Sequence, residues 1–112
     1  MPTITEGVEF DTIAREWRCK WSDKKCLAQV QQALDAVKGE LKGLKGLKSV
    51  QRVVCGGCLD FKVIIALSAG DYGAWEEGGK FAPEAKFLEA IGKIEGVTKI
   101  ETQTFTLMPV DI

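Results

Sequence analysis

The sequence contains no histidine, and this absence excludes several kinds of chemistry at once. Imidazole is the usual base and metal ligand near neutral pH, so we expect neither a Ser-His or Cys-His pair nor a His-ligated metal. Long apolar runs are also absent: the longest extends from Val63 to Ala69 and is interrupted by Ser68. A membrane-spanning helix needs about 20 apolar residues, so no membrane partner is predicted.

A secretory leader is not expected either. The first residues, Met1 to Glu6, contain neither the basic nor the apolar segment of a signal peptide. We therefore expect a cytoplasmic protein. Thiols are mostly kept reduced in that compartment, so the four cysteines are expected to be free rather than paired.

The charges nearly balance over the chain but are unevenly distributed. Residues 15–52 carry ten Lys and Arg against four Asp and Glu, and the remainder carries five against twelve. A solvated helix face explains most of this pattern; a basic patch, or two faces that attract in an oligomer, are the alternatives. The lysines at 38, 42 and 45 lack interleaved aromatic residues, so nucleic-acid binding is not favoured.

The length of 112 residues fits a single domain. We predict a flexible N-terminal arm over residues 1–8 and one domain over residues 9–112. Period-2 alternation predicts a first strand over residues 9–21, with Trp17 and Trp21 on one face. Apolar residues spaced by three and four then predict a helix, for which Ser22 is the expected N-cap.

The second half of the chain begins with a predicted hairpin. Residues 49–55 and 58–67 are its strands, and Gly56-Gly57 between them favours a two-residue type I′ turn. A short helical turn is predicted at residues 71–77. Pro83 then opens a second helix, which Gly96 closes, before a last strand over residues 98–108.

The order strand, helix, strand, strand, helix, strand predicts the fold class. With right-handed crossovers it gives an α+β ferredoxin-like β-α-β-β-α-β sandwich: a four-stranded antiparallel sheet with two helices on one face.

Two runs of sequence resemble known families. Residues 46–61, with Cys55-Gly56-Gly57-Cys58, look like the helix exit and central hairpin of dimeric α/β-barrel domains. Residues 94–102, with Gly96-Val97, are similar to the ending of the Lrp/AsnC effector-binding domain. The segments at residues 19–22 and 72–83 look more like stress-responsive A/B-barrel and antibiotic-monooxygenase-type proteins.

The resemblance implies a homodimer, since in that superfamily a second subunit covers the open sheet face. A physical reason points the same way. The two helices cover one face, and the other still holds Ile64 and Ala66, or the Trp17 and Trp21 set, depending on register. Exposed apolar faces of that size usually mark interfaces.

Five residues are the candidates for lining a ligand cavity between sheet and helices: Arg15, Trp17, Tyr72, Trp75 and Phe105. A guanidinium among indoles suits an anionic or aromatic ligand. Tyr72 is the only tyrosine and would be the acid or base if the chain is an enzyme. Ordinary core packing is the alternative for each aromatic residue.

The pair Cys55 and Cys58 has C-x-x-C spacing, which suits thiol-disulfide exchange or metal binding. A zinc site needs two further ligands, and a redox pair usually lies at a helix N-terminus rather than at a hairpin tip. Structural thiols are therefore the leading interpretation, and no metal or cofactor is predicted.

Three functions remain open on the sequence alone. The leading hypothesis is a dimeric barrel without catalytic histidine that binds a small apolar or aromatic molecule. The first alternative is a cofactor-free cyclase or monooxygenase-like enzyme acting on an aromatic or polyketide-like substrate. The second is a structural or assembly module.

Overall fold

Four long strands and three helices make up most of the chain, which a computed structural model describes over all of residues 1–112. In chain order the elements are β1 (Thr3–Thr5), β2 (Val8–Glu9), β3 (Thr12–Lys20), α1 (Lys24–Lys42), β4 (Leu47–Cys55), β5 (Asp60–Ser68), α2 (Ala69–Glu77), α3 (Glu84–Gly92) and β6 (Thr98–Leu107). The long strands form one antiparallel sheet in the order β4-β5-β3-β6. This is the ferredoxin-like α+β arrangement, so the predicted fold class is confirmed.

Strand β3 lies inside the sheet, between β5 and β6, and its residues are buried or half-buried along the whole strand. Trp17 pairs with Val63 of β5 on one side and with Thr102 of β6 on the other. Trp17 and Cys19 point to the helices and are 0% and 1% exposed. Alternation along the strand then directs the residues between them to the opposite face.

Helix α1 begins one residue later than the sequence predicted. Its N-cap is Asp23, whose carboxylate accepts a hydrogen bond of 2.8 Å from the backbone N–H of Cys26. The expectation that Ser22 caps the helix was wrong. Its hydroxyl instead lies against Gly96, where φ is +96° and any added Cβ would collide with it.

The β4–β5 hairpin also differs from its prediction. Cys55 pairs with Asp60, so the link has four residues, 56–59, rather than two. Neither Gly56 nor Gly57 has positive φ, whereas Leu59 has a φ of +60°. A type I′ turn needs positive φ at both central residues, so it does not form.

The structure also defines the N-terminal residues and the end of α3. Residues 3–9, most of them within the predicted arm, form an exposed two-stranded ladder from β1 and β2. Helix α3 ends at Gly92, before the predicted closure at Gly96. None of the three helices combines the length and apolar character that a membrane-spanning helix needs.

All three helices pack on one face of the sheet and bury a common core with the residues of β3 and β5. The other face of the sheet carries no helix. We call it the open face; its central residues are Ala14, Glu16, Ile64, Ala66, Gln103 and Phe105.

Candidate functional site

Arg15 is the polar centre of the layer between the sheet and helices α2 and α3. Its Nε donates to Glu84 Oε1 at 2.8 Å, and the two side chains are only 16% and 13% exposed. Its terminal nitrogens donate to the hydroxyls of Thr102 at 2.9 Å and Thr104 at 3.0 Å. The guanidinium carbon lies 4.0 Å from the ring centroid of Phe81.

Strand register brings these partners together. The β3–β6 pairing places Thr104 opposite Arg15 and Thr102 opposite Trp17, so both hydroxyls reach the same guanidinium. Glu84 is the first residue of α3, directly after Pro83. A planar guanidinium suits such a set of convergent acceptors, because its five N–H groups have a fixed geometry.

Trp17 lies two residues from Arg15 on the same sheet face. Its ring stacks on Phe87 at a centroid distance of 5.1 Å and is fully buried. Its indole Nε1–H has no hydrogen-bond acceptor. An unpaired buried donor costs about 1–3 kcal/mol, so this group offers a strong hydrogen bond to any acceptor that reaches it.

Tyr72 of α2 faces the same layer. Its hydroxyl is 2.7 Å from the hydroxyl of Thr104, and either oxygen can be the donor. Burial raises the pKa of Tyr72 above its usual value, and the Thr104 hydrogen bond opposes the shift only in part. The phenol is therefore protonated at neutral pH and available as a proton or hydrogen-bond donor, not as a base.

The layer is closed in this structure. Five surface cavities lie elsewhere, and none of them is lined by Arg15, Trp17, Tyr72 or Trp75. Phe81 covers it from the segment between α2 and α3, with its ring 5.2 Å from that of Trp75.

The covering segment combines two left-handed backbone positions with backbone hydrogen bonds to α2, among them Phe81 N–H to the carbonyl oxygen of Trp75 at 3.1 Å. Lys80 and Phe81 have φ of +49° and +60°, which side-chain-bearing residues rarely adopt. The Trp75 indole N–H donates to the carbonyl oxygen of Ala82 at 2.8 Å and ties the segment to α2.

Four of the five predicted ligand residues lie together in this layer. Phe105 does not: it pairs with Ala14, and its side chain belongs to the open face. The β3–β6 register decides which sheet face Phe105 lies on, and the sequence alone does not give that register.

The sequence missed four residues of the site: Phe81, Glu84, Thr102 and Thr104. Glu84 directly follows Pro83 at a helix start, where an acidic residue is favoured by the helix dipole whatever else it contacts. The two threonines are spaced by two on one strand, a pattern that indicates a shared face but not what that face contacts.

The four cysteines fall into two unlike pairs. Cys55 and Cys58 form a disulfide at the hairpin tip, with their Cα atoms 5.6 Å apart, so the expectation that all four thiols are free was wrong for this pair. Cys19 and Cys26 are buried free thiols. Burial, with smaller contributions from Cys26 and Asp60, raises the pKa of Cys19 to about 11. No group of three or more Cys, Asp or Glu side chains is arranged to hold a metal ion.

No protein-family model matches this chain, and no curated protein sequence matches it. Solved structures do match. A monooxygenase from the ActVA-Orf6 gene of Streptomyces coelicolor, in complex with nanaomycin D, superposes with a TM-score of 0.67 and 12% identity over 92% of each chain.

Two further structures show the same similarity. SnoaB, a cofactor-independent oxygenase from Streptomyces nogalater, has a TM-score of 0.60 and 13% identity over 89% of this chain and 96% of its own. Rv0793 from Mycobacterium tuberculosis has a TM-score of 0.57 and 14% identity over 90% and 97%. The chain thus shares the ferredoxin-like fold of these solved structures, as its sequence predicted.

Proposed function

We propose that this chain binds a small planar aromatic molecule carrying an anionic or carbonyl oxygen, in the layer between the sheet and helices α2 and α3. The observation that carries the proposal is the unpaired indole N–H of Trp17, buried two residues from a nearly buried Arg15. Two donors on one strand face, surrounded by aromatic rings, suit an oxygen-bearing aromatic ligand.

Electrostatics favours an anionic oxygen. The Glu84 carboxylate neutralises Arg15 in the closed layer and bonds to it through two nitrogens, at 2.8 and 3.4 Å. A ligand oxygen of the same charge replaces Glu84 without leaving the guanidinium unpaired. Glu84 then turns to solvent from its position at the start of α3.

Entry requires the covering segment to move. Displacing the Phe81 ring opens the layer beside Arg15, and it also relieves the positive φ at Lys80 and Phe81. Release of strained backbone offsets part of the cost of breaking the Phe81 contacts.

The comparisons support the ligand class. One structure with this fold holds nanaomycin D, and another is a cofactor-independent oxygenase. We therefore take nanaomycin D as the probe for this chain.

The test is titration of nanaomycin D against intrinsic tryptophan fluorescence. We expect saturable quenching in the wild type, and weakening by about 10- to 100-fold in Arg15→Gln, because a charged hydrogen bond is worth about 1.5–3 kcal/mol. The matched control is Arg52→Gln. Arg52 also bonds across elements, to Gln31 at 2.7 Å, but it is exposed on β4.

A second variant separates binding from folding. Arg15→Gln leaves the Glu84 carboxylate without its partner, whereas Arg15→Gln with Glu84→Gln restores a neutral pair. We expect the double variant to unfold at the wild-type temperature and still bind weakly. Equal affinity in the wild type and both Arg15 variants would contradict the proposal.

A second candidate function is cofactor-free oxygenation, and the protonated phenol of Tyr72 favours it. Burial keeps Tyr72 in the acid form, 2.7 Å from Thr104 and inside the layer that holds Arg15. It can donate a proton to an oxygenated intermediate as an activated methylene and O2 become a carbonyl and water.

The test of this second function is oxygen uptake with anthrone, a tricyclic substrate whose methylene is activated by its carbonyl. We expect Tyr72→Phe to lower turnover by about 100-fold while leaving ligand affinity within a factor of two of the wild type. Uptake that is equal in the wild type, in Tyr72→Phe and without protein would exclude oxygenase activity on this probe and leave binding as the function.

We further propose that the chain is a homodimer joined through its open face. One half of that face is apolar: half-buried Ile64 and Phe105 lie beside buried Ala14 and Ala66, and the surface continues into exposed Leu107. A second copy, related by a twofold axis, is the simplest cover for such a surface.

A further inference from the structure

The tip of the β4–β5 hairpin carries the Cys55–Cys58 pair on exposed backbone. Cys58, Gly56 and Gly57 are exposed and Cys55 is half-buried. The pair lies at the end of the sheet far from α2 and takes no part in the ligand site proposed above. Its chemistry therefore needs its own explanation.

The hairpin register itself keeps the two sulfurs close. Cys55 ends β4 opposite Asp60, and the four-residue link returns Cys58 across the strand end with its Cα 5.6 Å from that of Cys55. This separation is ordinary for a disulfide. Since the ladder already holds the strand ends together, the bond closes little additional chain, and its loss removes little stability.

The surroundings of the two sulfurs differ. The backbone N–H of Cys58 points at Cys55 Sγ at 3.2 Å, so it stabilises negative charge on that sulfur. Cys58 Sγ lies 3.4 Å from Asp60 Oδ2. The Lys20 ammonium, 2.8 Å from Asp60 Oδ1, lowers the pKa of Asp60 and keeps that carboxylate charged. Negative charge is thus favoured on Cys55 and disfavoured on Cys58.

We propose that Cys55 and Cys58 form a thiol-disulfide exchange site for low-molecular-weight thiols and disulfides. In reduction, a small thiolate attacks the exposed Cys58 sulfur, the S–S bond breaks, and Cys55 leaves as the thiolate held by the Cys58 N–H. A second small thiolate then attacks the small-molecule sulfur of the mixed disulfide. The products are two protein thiols and one small-molecule disulfide, and oxidation follows the same steps in reverse.

The other two cysteines provide a contrast within the same chain. Cys19 and Cys26 are 1% and 2% exposed, so a dissolved disulfide cannot reach them. Burial also disfavours the thiolate of Cys19. Exchange is therefore confined to the hairpin tip.

The test equilibrates the purified full chain with glutathione at a series of thiol-to-disulfide ratios. The protein is then quenched with acid, alkylated in denaturant and weighed by mass spectrometry. We expect two of the four thiols to disappear together as oxidised glutathione increases, with no glutathione attached. Cys55→Ser should instead retain one glutathione on Cys58, because the sulfur that would release it is gone. Cys26→Ala, the control, should behave as the wild type.

Two results would overturn the proposal. One is a wild-type protein that keeps four alkylatable thiols at every ratio. The other is an internal disulfide that no concentration of reduced glutathione opens. Circular dichroism of Cys55→Ser should match the wild type, since the hairpin ladder does not depend on the bond; a misfolded variant is replaced by Cys55→Ala for the same measurement.

Discussion

Arg15 and Trp17 show what a single residue contributes to this fold. Both side chains lie on the helix-facing side of β3, where apolar residues are expected. Arg15 is retained there by Glu84, Thr102 and Thr104, and the Trp17 N–H is left without an acceptor. A nearly buried charge and an unpaired buried donor on one strand are unfavourable for packing alone. We propose that ligand binding is the reason for both.

The sequence predicted Arg15, Trp17, Tyr72, Trp75 and Phe105 as a group, and the structure places all of them except Phe105 in one layer. Arg15 and Trp17 were predictable because strand alternation puts residues spaced by two on one face. Glu84 was not predictable as a partner of Arg15, because no local pattern states which helix start lies above which strand.

The Cys19 thiol should make the free energy of unfolding depend on pH. Its pKa is raised from 9.0 to about 11 in the folded chain, so the folded state holds this proton more tightly than the unfolded state. The associated stability is complete below about pH 9 and is lost as pH rises towards 11. We expect the wild type to lose about 2 kcal/mol more than Cys19→Ala between pH 8 and pH 11.

The measurement for Cys19 is urea unfolding at several pH values under reducing conditions. Val63→Ala is the control, since Val63 is as buried as Cys19 but carries no titrating group; its pH dependence should match that of the wild type. Parallel curves for the wild type and Cys19→Ala would show that the thiol does not titrate differently on folding.

At the scale of elements, the sequence located every long strand and helix but misplaced several ends. The ends depend on contacts made elsewhere in the fold. Ser22 lies against Gly96, so Asp23 caps the helix instead. The backbone N–H of Trp21 donates to the carbonyl oxygen of Leu59 at 3.0 Å, which helps to fix the four-residue hairpin link. Neither contact can be read from a local pattern.

The open sheet face carries the prediction at this scale. A charge placed in its apolar half should prevent a second subunit from packing there, since an unpaired buried charge costs several kcal/mol. We expect the wild type to sediment as a dimer and Phe105→Asp as a monomer with unchanged circular dichroism.

The control for the open face is Val110→Asp. Val110 is 80% exposed beyond the end of β6, so the same charge there should leave the dimer intact. A wild-type monomer at micromolar concentration, or a Phe105→Asp dimer, would exclude the open face as the interface.

At the scale of the whole molecule, the fold is shared with structures whose chains are 12–14% identical to this one. Such similarity concerns the arrangement of strands and helices; the function of this chain depends on its own side chains. The absence of histidine limits the proton chemistry of the layer to groups such as Tyr72 and Glu84. The chain also has a basic segment, residues 15–52, and an acidic remainder. Attraction between the two in an assembly would need no cavity.

Ligand binding in the layer around Arg15 is best measured by native mass spectrometry of the wild type and Arg15→Gln, each mixed with excess nanaomycin D under reducing conditions. This measurement reports the number of subunits and the mass of retained ligand in the same spectrum. We expect a wild-type dimer carrying up to one ligand on each subunit, and an Arg15→Gln dimer whose ligand-bound fraction is clearly lower at the same concentration. A wild-type protein that retains no ligand, or a variant that retains as much as the wild type, would contradict the proposed binding site.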